Sequence, residues 1–298
     1  MLFDSAPPRV TVGIARAARD PADGERRSGS DMIPGLSNRV EANLLAAMTG
    51  GVTAIDPAMY AAGDVSLFTG RDEESRALGI ELVAGPDVTL AVTDPTRPVG
   101  QIRISTGGAG NLLFIDNRDW RGMLNANIRL LGHDSAIIFN DIGSGGFVSL
   151  GDLFMRSDRQ FLFWGRGATA VGCSMEIEGD ECGVAVGDDA LIANGVWVRN
   201  YNMHALYDLA SATPIGRAPV TTVIERHVWL GQDALVLNCE RVGAGAVIGA
   251  RSFVNRPIPP CVLAAGTPAR VIRERVSWGR DTYVMTEVER QLIASAIR

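Results

Sequence analysis

The chain has 298 residues, a formal net charge of -6 and 46% hydrophobic residues. A chain of this length can bury a full core, and its acidic balance argues against nucleic acid as the main partner. The sequence contains no lysine, which excludes Schiff-base chemistry and phosphate-loop NTPase chemistry. We expect a cytoplasmic protein for three reasons. The start MLFDSAPPRVTVG lacks a signal-peptide pattern, no apolar run reaches the length of a membrane span, and the four cysteines show no metal-ligand spacing.

The first third of the chain shows no regular repeat. Residues 1–80 predict an N-terminal region that is partly helical or flexible, with a flexible segment at 20–31 and an amphipathic helix at 36–48. Residues 81–104 are interpreted as irregular first coils of a repeated β structure. Short aliphatic runs separated by turn residues predict strands at 79–85, 87–93, 100–106 and 111–117.

A six-residue period dominates residues 105–260. Its clearest part is a set of aliphatic residues spaced six apart: Ile224, Leu230, Val236, Val242, Ile248 and Val254. This period fits neither an α-helix nor an alternating strand, but it fits three flat faces that close a coil and stack about 4.8 Å apart. Weaker members of the pattern are Leu131 with Ile137, Ile142 with Val148, Val171 with Ile177, and the triplet Val186, Ile192 and Val198. The pattern predicts an all-β fold, a parallel β-helix of hexapeptide repeats.

Three motifs between residues 228 and 273 resemble the hexapeptide-repeat acyltransferases, and more closely the branch that acetylates sugars of polysaccharides and xenobiotics. They are a tryptophan-glycine coil start at 228–231, a GxxxxIGAxS-like coil at 243–252, and a G-x-P-A-R-V-I tail at 266–272. With the weaker repeats, the resemblance covers residues 105–273. It implies a left-handed parallel β-helix, a homotrimer, and an acetyl-CoA site in the groove between neighbouring prisms. The left hand is implied by the family, because spacing alone does not determine it.

A histidine stands where the repeat is interrupted. The triplet that ends at Val198 predicts the next inward residue at position 204, which is His204, and the regular pattern resumes only at Ile224. We therefore expect residues 200–222 to leave the prism as a protruding loop. In the family, such a loop carries the catalytic histidine, and Asn202-x-His204-x-x-x-Asp208 resembles its motif. The acidic or serine residues usual before the histidine are absent.

The resemblance implies acetyl transfer from a thioester to a hydroxyl, which needs a base of near-neutral pKa and donors for the oxyanion. We hypothesise that His204 is the general base and that Asp208 orients its ring. His227 is interpreted as a structural or substrate-contact residue, and His133 as a solvated corner residue.

Candidate coenzyme contacts lie in the resembling stretch. Gly249 and Ala250 are small enough for a pantetheine arm to lie against the backbone, although small residues also suit tight corners. Arg270 and Arg273 are candidates for the coenzyme phosphates, because guanidinium groups pair well with phosphate. Trp229 can stack on the adenine or fill an interface between chains. We expect no metal.

The C-terminal region, 261–298, is predicted to form a tail and a helix. Pro257, Pro259 and Pro260 predict the end of the coil, and Thr286 three residues before Glu289 predicts a helix start. Four alternatives stay open. They are N-acetylation of an amino sugar, acetylation of serine, a non-catalytic β-helix that binds or assembles, and a γ-type carbonic anhydrase. The last needs two closely spaced histidines, whereas the three histidines here stand far apart, at positions 133, 204 and 227.

Overall fold

The computed structural model describes residues 66–118, 120–141 and 146–296. The predicted flexible segment at 20–31 and the predicted helix at 36–48 lie outside the described residues. Within the described part, nearly all regular structure is β. The expected fold class, a parallel β-helix of stacked coils with a C-terminal helix, is confirmed.

Two long sheets form the body of the coil. Sheet A has eight strands, in the spatial order β1 (Ser66–Phe68), β3 (Thr89–Val92), β5 (Leu112–Ile115), β7 (Ala136–Phe139), β9 (Phe161–Trp164), β11 (Gly183–Val186), β16 (Thr222–Ile224) and β19 (Arg241–Val242). Sheet B has thirteen strands. They are β2 (Ile80–Ala84), β4 (Gly100–Thr106), β6 (Met123–Leu130), β8 (Phe147–Met155), β10 (Thr169–Ile177), β12 (Leu191–Ile192), β13 (Val196–Arg199), β17 (Trp229–Leu230), β18 (Leu235–Leu237), β20 (Val247–Ile248), β21 (Phe253–Val254), β22 (Val262–Gly266) and β23 (Ala269–Glu274).

The coil changes its cross-section along the axis. In the N-terminal half, Gly100 pairs with Leu124 and Leu124 with Val148, so these two long coils return to the same column after four six-residue steps. In the C-terminal half, Trp229 pairs with Val247, so a short coil takes only three such steps. The change occurs at β10, whose first residues pair with β12 and whose last residues pair with β13. One long strand therefore continues as two short ones, and a two-sheet coil becomes a three-faced prism.

The core is the interior of this coil. All six aliphatic residues of the clearest repeat are 0–1% exposed, and Val186, Ile192 and Val198 are fully buried. Leu131 and Val171, however, are 49% and 58% exposed, so their assignment as inward residues is wrong. The reason at Val171 is a register shift between Ala170 and Cys173, which changes the phase of the strand. Ile142 lies outside the described residues.

The chain closes the coil with an antiparallel strand and a helix. After the prolines, β22 still pairs in parallel with β20 before β23 turns back on it. The ladder thus continues for one strand past Pro260, because the prolines occupy the corner between the Ile258 bridge and β22. Helix α1 (Glu73–Ala77) lies near the start of the coil, and helix α2 (Glu287–Ala296) lies at the end.

The helix start predicted at Thr286 is confirmed in atomic detail. Thr286 N donates to Glu289 Oε2 (2.6 Å), and Glu289 N donates to Thr286 Oγ1 (3.2 Å). This reciprocal pair is a capping box. No helix among the described residues is long and apolar enough to cross a membrane.

Candidate active site

The C-terminal prism has three faces, and its corners position the candidate residues. The first face consists of β12, β17, β20 and β22, the second of β13, β18 and β21, and the third of β11, β16 and β19. Sequence order fixes the corners between them. The Gly249 corner lies between the first and second faces, and the His227 corner lies between the third and first faces. The chain leaves for the long loop at the corner between the second and third faces.

The expected loop interrupts the prism immediately after β13. Leu191 pairs with Trp229, and Trp229 pairs with Val247, so each of these pairs joins neighbouring layers of the coil. The chain between Leu191 and Trp229 is nevertheless about twice as long as the chain between Trp229 and Val247. The loop therefore adds about one full coil of chain without adding a layer. It contains a two-stranded hairpin, β14 (Tyr207–Asp208) and β15 (Thr213–Pro214), and its residues 202–218 are exposed.

Asn200 closes the neck of this loop. Its Nδ2 donates to the carbonyl oxygens of Glu178 and Val220 (2.9 Å each), and its Oδ1 accepts from Glu178 N (2.9 Å). Val220 N donates to Asn200 O (3.0 Å), so the two ends of the loop are tied together. The Asn200 side chain is fully buried. This role of Asn200 was not predicted from the sequence, although an asparagine directly before a break in the repeat is the available signal.

One coil further on, Asn238 and Arg217 support the same neck. Asn238 N donates to Arg199 O (2.7 Å), and Arg217 Nη1 donates to Asn238 O (3.3 Å). Arg217 also forms an ion pair with Glu240. The loop is thus held firmly at its base, while its outer part has few contacts.

His204 lies in the exposed part of this loop, and no hydrogen bond joins its ring to any described residue. Asp208 lies four residues further on, and its Oδ1 accepts from Ala210 N (2.9 Å), Ser211 N (2.8 Å) and Ser211 Oγ (2.9 Å). These bonds, led by the one from the Ser211 backbone, lower the pKa of Asp208. Within one chain, the carboxylate therefore holds the hairpin turn, and no hydrogen bond links it to His204.

The five coenzyme candidates lie together on the first face and its edge. Trp229 pairs with Val247, Val247 with Leu263, and Leu263 with Arg273, so Trp229 and Arg273 share one column. Ala265, which pairs with Arg270, packs at the adjacent corner against Gly249. A Cβ at Gly249 would lie 2.9 Å from that of Ala265, and one at Gly231 would lie 2.7 Å from Ala250 N. The corner is therefore formed by small residues whose side chains extend little beyond the backbone.

The loop neck and the Gly249 corner lie at opposite edges of the second face. Residues 194, 232 and 250 come just before its strands, whereas Asn200 and Asn238 come just after them. One chain thus presents the histidine loop and the small-residue corner on the two sides of the same face. A neighbouring prism packed against one edge would complete a cleft there with its own opposite edge.

His227 has a different environment from His204. It is 1% exposed, with Nδ1 2.7 Å from Asp189 Oδ2 and Nε2 2.9 Å from the carbonyl oxygen of Trp278. The indole of Trp278 stacks on its ring at 4.5 Å, with an interplanar angle of 7°. Both ring nitrogens are occupied inside the chain, so His227 has no free nitrogen to offer a substrate.

The segment that follows β23 crosses the His227 corner, and we call its residues 277–280 the strap. Ser277 Oγ donates to Gly245 O (2.8 Å), Trp278 Nε1 to His227 O (2.8 Å), and Arg280 Nε to Asp189 Oδ1 (2.7 Å). Arg280 Nη2 also reaches Gly167 O (3.0 Å). The strap therefore runs back along four coils, and it places Trp278 6.0 Å from the candidate residue Trp229.

Neither the remaining histidine nor the two most deeply buried cysteines have the features of a catalytic group. His133 is exposed at a corner, where its Nδ1 accepts from Ala109 N (3.1 Å). Burial raises the pKa of the Cys173 thiol to about 12 and that of Cys239 to about 11, so neither forms a thiolate readily. Across the described ranges, no group of three or more His, Cys, Asp or Glu side chains is arranged to hold a metal ion.

Comparison with known proteins identifies relatives of this prism. No protein-family model matches the chain. One relative is the polysialic acid O-acetyltransferase of Escherichia coli O1:K1 / APEC. The two chains are 34% identical over 112 residues, and this matched stretch covers 38% of this chain and 36% of that protein. A second relative is the polysialic acid O-acetyltransferase of Neisseria meningitidis. It is 28% identical to this chain over 200 residues, and this matched stretch covers 66% of this chain and 86% of that protein.

Among solved structures, the polySia specific acetyltransferase NeuO matches with a TM-score of 0.48 and 22% identity, over 65% of this chain and 96% of that one. Three curated relatives, the E. coli O1:K1 / APEC protein among them, are matched over only 32–46% of their own lengths.

The stacked hexapeptide coils and the sequence matches agree on one class of protein. Both support the hexapeptide-repeat acyltransferase family, in its sugar O-acetyltransferase branch. Within that family, the relatives from E. coli O1:K1 / APEC and N. meningitidis both bear the name polysialic acid O-acetyltransferase.

Proposed function

We propose that this protein transfers an acetyl group from acetyl-CoA to a hydroxyl of a sugar or polysaccharide precursor, with His204 as the general base. The observation that supports this most directly is the environment of His204. The long loop after β13 is tied at its neck by Asn200, yet it leaves the imidazole exposed and free of hydrogen bonds to the described residues. A base must be reachable by the hydroxyl that it deprotonates.

In the proposed reaction, the imidazole takes the proton of the acceptor hydroxyl as its oxygen attacks the thioester carbonyl carbon. The carbon–sulfur bond then breaks, and the imidazolium returns the proton to the departing coenzyme thiolate. The products are the acetyl ester and free coenzyme A, so atoms and charge balance. The Gly249 and Ala250 corner would accept the pantetheine arm, Arg270 and Arg273 would face the phosphates, and Trp229 would stack on the adenine or pack against a neighbouring chain.

The proposed assembly is a homotrimer. The histidine loop and the small-residue corner of one chain lie at opposite edges of the second face, so a neighbouring copy is needed to bring them together. The loop also exposes apolar side chains, at 50–95% exposure, that suit burial against a neighbour: Met203, Leu206, Tyr207, Leu209 and Ile215. Four free cysteines fit the reducing cytoplasm, which we propose as its location.

The test is thiol release from acetyl-CoA with a panel of acceptors, comparing the wild type with His204→Ala and with the matched control His133→Ala. Both histidines are exposed, but only His204 stands in the loop. Loss of the base should lower kcat by about 100- to 10,000-fold, whereas the control should keep wild-type turnover. Near-normal turnover of the folded His204→Ala trimer would refute the assignment.

The same panel, together with a melting-temperature measurement, tests three other functions. Preference for an amino sugar or for serine would indicate the N-acetyltransferase or serine acetyltransferase alternative. A non-catalytic binding module would show no thiol release with any acceptor, and no rise in melting temperature with millimolar acetyl-CoA.

A further inference from the structure

A strip of arginine and aromatic side chains runs along the outer surface of the coil toward the histidine loop. Strand register aligns Arg129 with Phe154, Phe154 with Glu176, and Glu176 with Arg199, one coil apart at each step. Three steps of about 4.8 Å span about 14 Å along the axis. We call the outward residues Arg129, Phe154, Arg156, Trp197 and Arg199 the arginine strip.

The guanidinium groups of the strip are held against aromatic rings. The guanidinium carbons of Arg129 and Arg156 lie 4.4 Å and 3.9 Å from the centroid of Phe154, and that of Arg199 lies 4.6 Å from the ring of Trp197. A guanidinium held over a ring keeps its plane fixed, and a fixed planar guanidinium can pair with both oxygens of a carboxylate.

The strip has more positive charge than its neighbours neutralise. Asp152 pairs with Arg129 (3.3 Å) and Glu176 with Arg199 (3.4 Å), but Arg156 has no ion-pair partner in the described part of the chain. The Nε atoms of Arg156 and Arg199 are buried and donate no hydrogen bond to any described residue. These two buried atoms are out of reach of a ligand, so what the strip offers a ligand is the outer nitrogens of its guanidinium groups and the positive charge of Arg156, in a protein whose overall charge is -6.

The strip ends at the base of the loop that contains His204. Arg199 is the last residue of β13, directly before the neck residue Asn200, and its Nη1 lies 3.6 Å from Met203 Sδ. Tyr201 closes the same end, where its hydroxyl donates to Glu176 Oε2 (3.2 Å). A chain lying along the strip would thus arrive at the loop and at the histidine.

We propose that the arginine strip binds a glycan that carries carboxylates and that the glycan runs along the long coils toward His204. The guanidinium groups would pair with the carboxylates, and the rings of Phe154 and Trp197 would hold those guanidinium groups in place. This inference rests on the proposed function, because it assigns the acceptor class to that same site. It adds that affinity for the acceptor comes from a surface that begins on the long N-terminal coils and ends on β13, away from the first face that would hold the coenzyme.

The experiment measures binding directly, without acetyl-CoA, on the full-length oligomer. A fluorescent oligomer of α-linked sialic acid is the acidic probe, and a maltooligosaccharide of equal length is the neutral one. Wild type is compared with Arg129→Gln, Arg156→Gln and the control Arg71→Gln. Arg71 matches Arg129 in exposure (47% against 45%) and also forms one ion pair, but it lies near the N-terminal end of the described coil.

We expect fluorescence anisotropy to show binding of the acidic probe only, weakened about tenfold by each strip substitution and less than twofold by Arg71→Gln. Added salt should weaken the wild-type binding. If Arg156→Gln fails to fold, Arg156→Lys replaces it, because it keeps the charge but loses the planar guanidinium, and it should also bind more weakly. Equal affinity for the two probes, or unchanged binding by the strip variants, would overturn the proposal.

Two results separate this inference from the proposed function. Turnover on small neutral sugars without any binding of the acidic probe would overturn the strip while leaving acetyl transfer intact. Binding of the acidic probe without acetyl transfer would support the strip and count against the proposed function. Dissociation of the oligomer by strip substitutions, with no probe binding by the wild type, would overturn the strip as a glycan site and identify it as a subunit contact.

Discussion

Nδ1 of His227 lies 2.7 Å from Oδ2 of Asp189, and Oδ1 of the same carboxylate accepts from Arg280 Nε at 2.7 Å. One carboxylate on one coil thus binds both a corner histidine of the next coil and an arginine 91 residues further along the chain. This three-residue contact attaches the C-terminal strap to the prism. It also gives His227 a structural role, which is one of the two expected from the sequence.

The strap should contribute strongly to stability. Trp278 is 6% exposed, stacks on His227 and donates to its carbonyl oxygen. We expect Trp278→Ala to lower the free energy of unfolding by about 3–5 kcal/mol, measured by urea denaturation. Trp229→Ala is the control, because Trp229 is 38% exposed and should cost less. Equal losses in the two variants would show that the strap contact adds nothing.

The loop neck should depend on Asn200. Replacement by alanine removes three buried hydrogen bonds and leaves two carbonyl oxygens and one N–H without that partner. We expect a loss of about 2–4 kcal/mol in stability and faster cleavage of residues 201–219 in limited proteolysis. Asn202→Ala, at an exposed loop position, should show neither effect. Unchanged proteolysis of Asn200→Ala would mean that the neck is held by other contacts.

The carboxylate of Asp208 should matter less for turnover than His204, because its oxygen is engaged in the hairpin turn. Asp208→Asn is therefore expected to keep most of the kcat that His204→Ala loses. Since hydrogen bonds lower the pKa of Asp208, its contribution to the hairpin is complete above the ordinary aspartate pKa of about 4 and is lost as pH falls through the lowered value. A kcat loss equal to that of His204→Ala would instead favour an orienting role in the assembled site.

The four cysteines should differ in reactivity. Burial raises the pKa values of Cys173 and Cys239 to about 12 and about 11, and both side chains are buried. Cys182 is half-buried, with a pKa raised by burial and by Asp180 and Glu181. Near pH 8, a thiol reagent should label Cys182 first and slowly, and the others only after denaturation. The variant Cys182→Ser should then show no labelling in the native state.

A bulky side chain at the small-residue corner should block the proposed coenzyme arm. Ala250 is exposed, so Ala250→Trp should fold normally while raising the KM for acetyl-CoA about tenfold or more, measured by steady-state thiol release. Glu81→Trp, at an exposed position of β2 in the first coils, is the matched control and should leave the KM unchanged. An unaltered KM in Ala250→Trp would place the arm elsewhere.

The prism was predictable from the sequence because its coils between Ile224 and Val254 consist of equal six-residue steps, so the spacing is unbroken there. The long coils were less predictable. A register shift after Ala170 changes the phase of β10, and no spacing rule could place Val171 outside. The strap contact between Trp278 and His227 was unpredictable for another reason. It joins positions 51 residues apart through packing that no local pattern encodes.

For the site, the exposed position of the loop followed from the broken period, and the clustering of the coenzyme candidates followed from the coil spacing. The neck formed by Asn200 and Val220 depends on side-chain bonds to carbonyl groups of two different coils. Such bonds become visible only once the coils are stacked. The same holds for the arginine strip, whose members lie on successive coils, distant in sequence but adjacent in space.

The division of strand β10 between β12 and β13 separates the molecule into two parts with different freedom to change. Each long coil pairs only with the coil above and the coil below, so inserting or deleting one whole coil before β10 shifts the N-terminal end by about 4.8 Å and leaves every contact of the three-faced prism in place. The length of the outer surface along the axis can therefore change in steps of one coil. The geometry of the three-faced prism, which holds the candidate site, stays constant while the length of the N-terminal part changes.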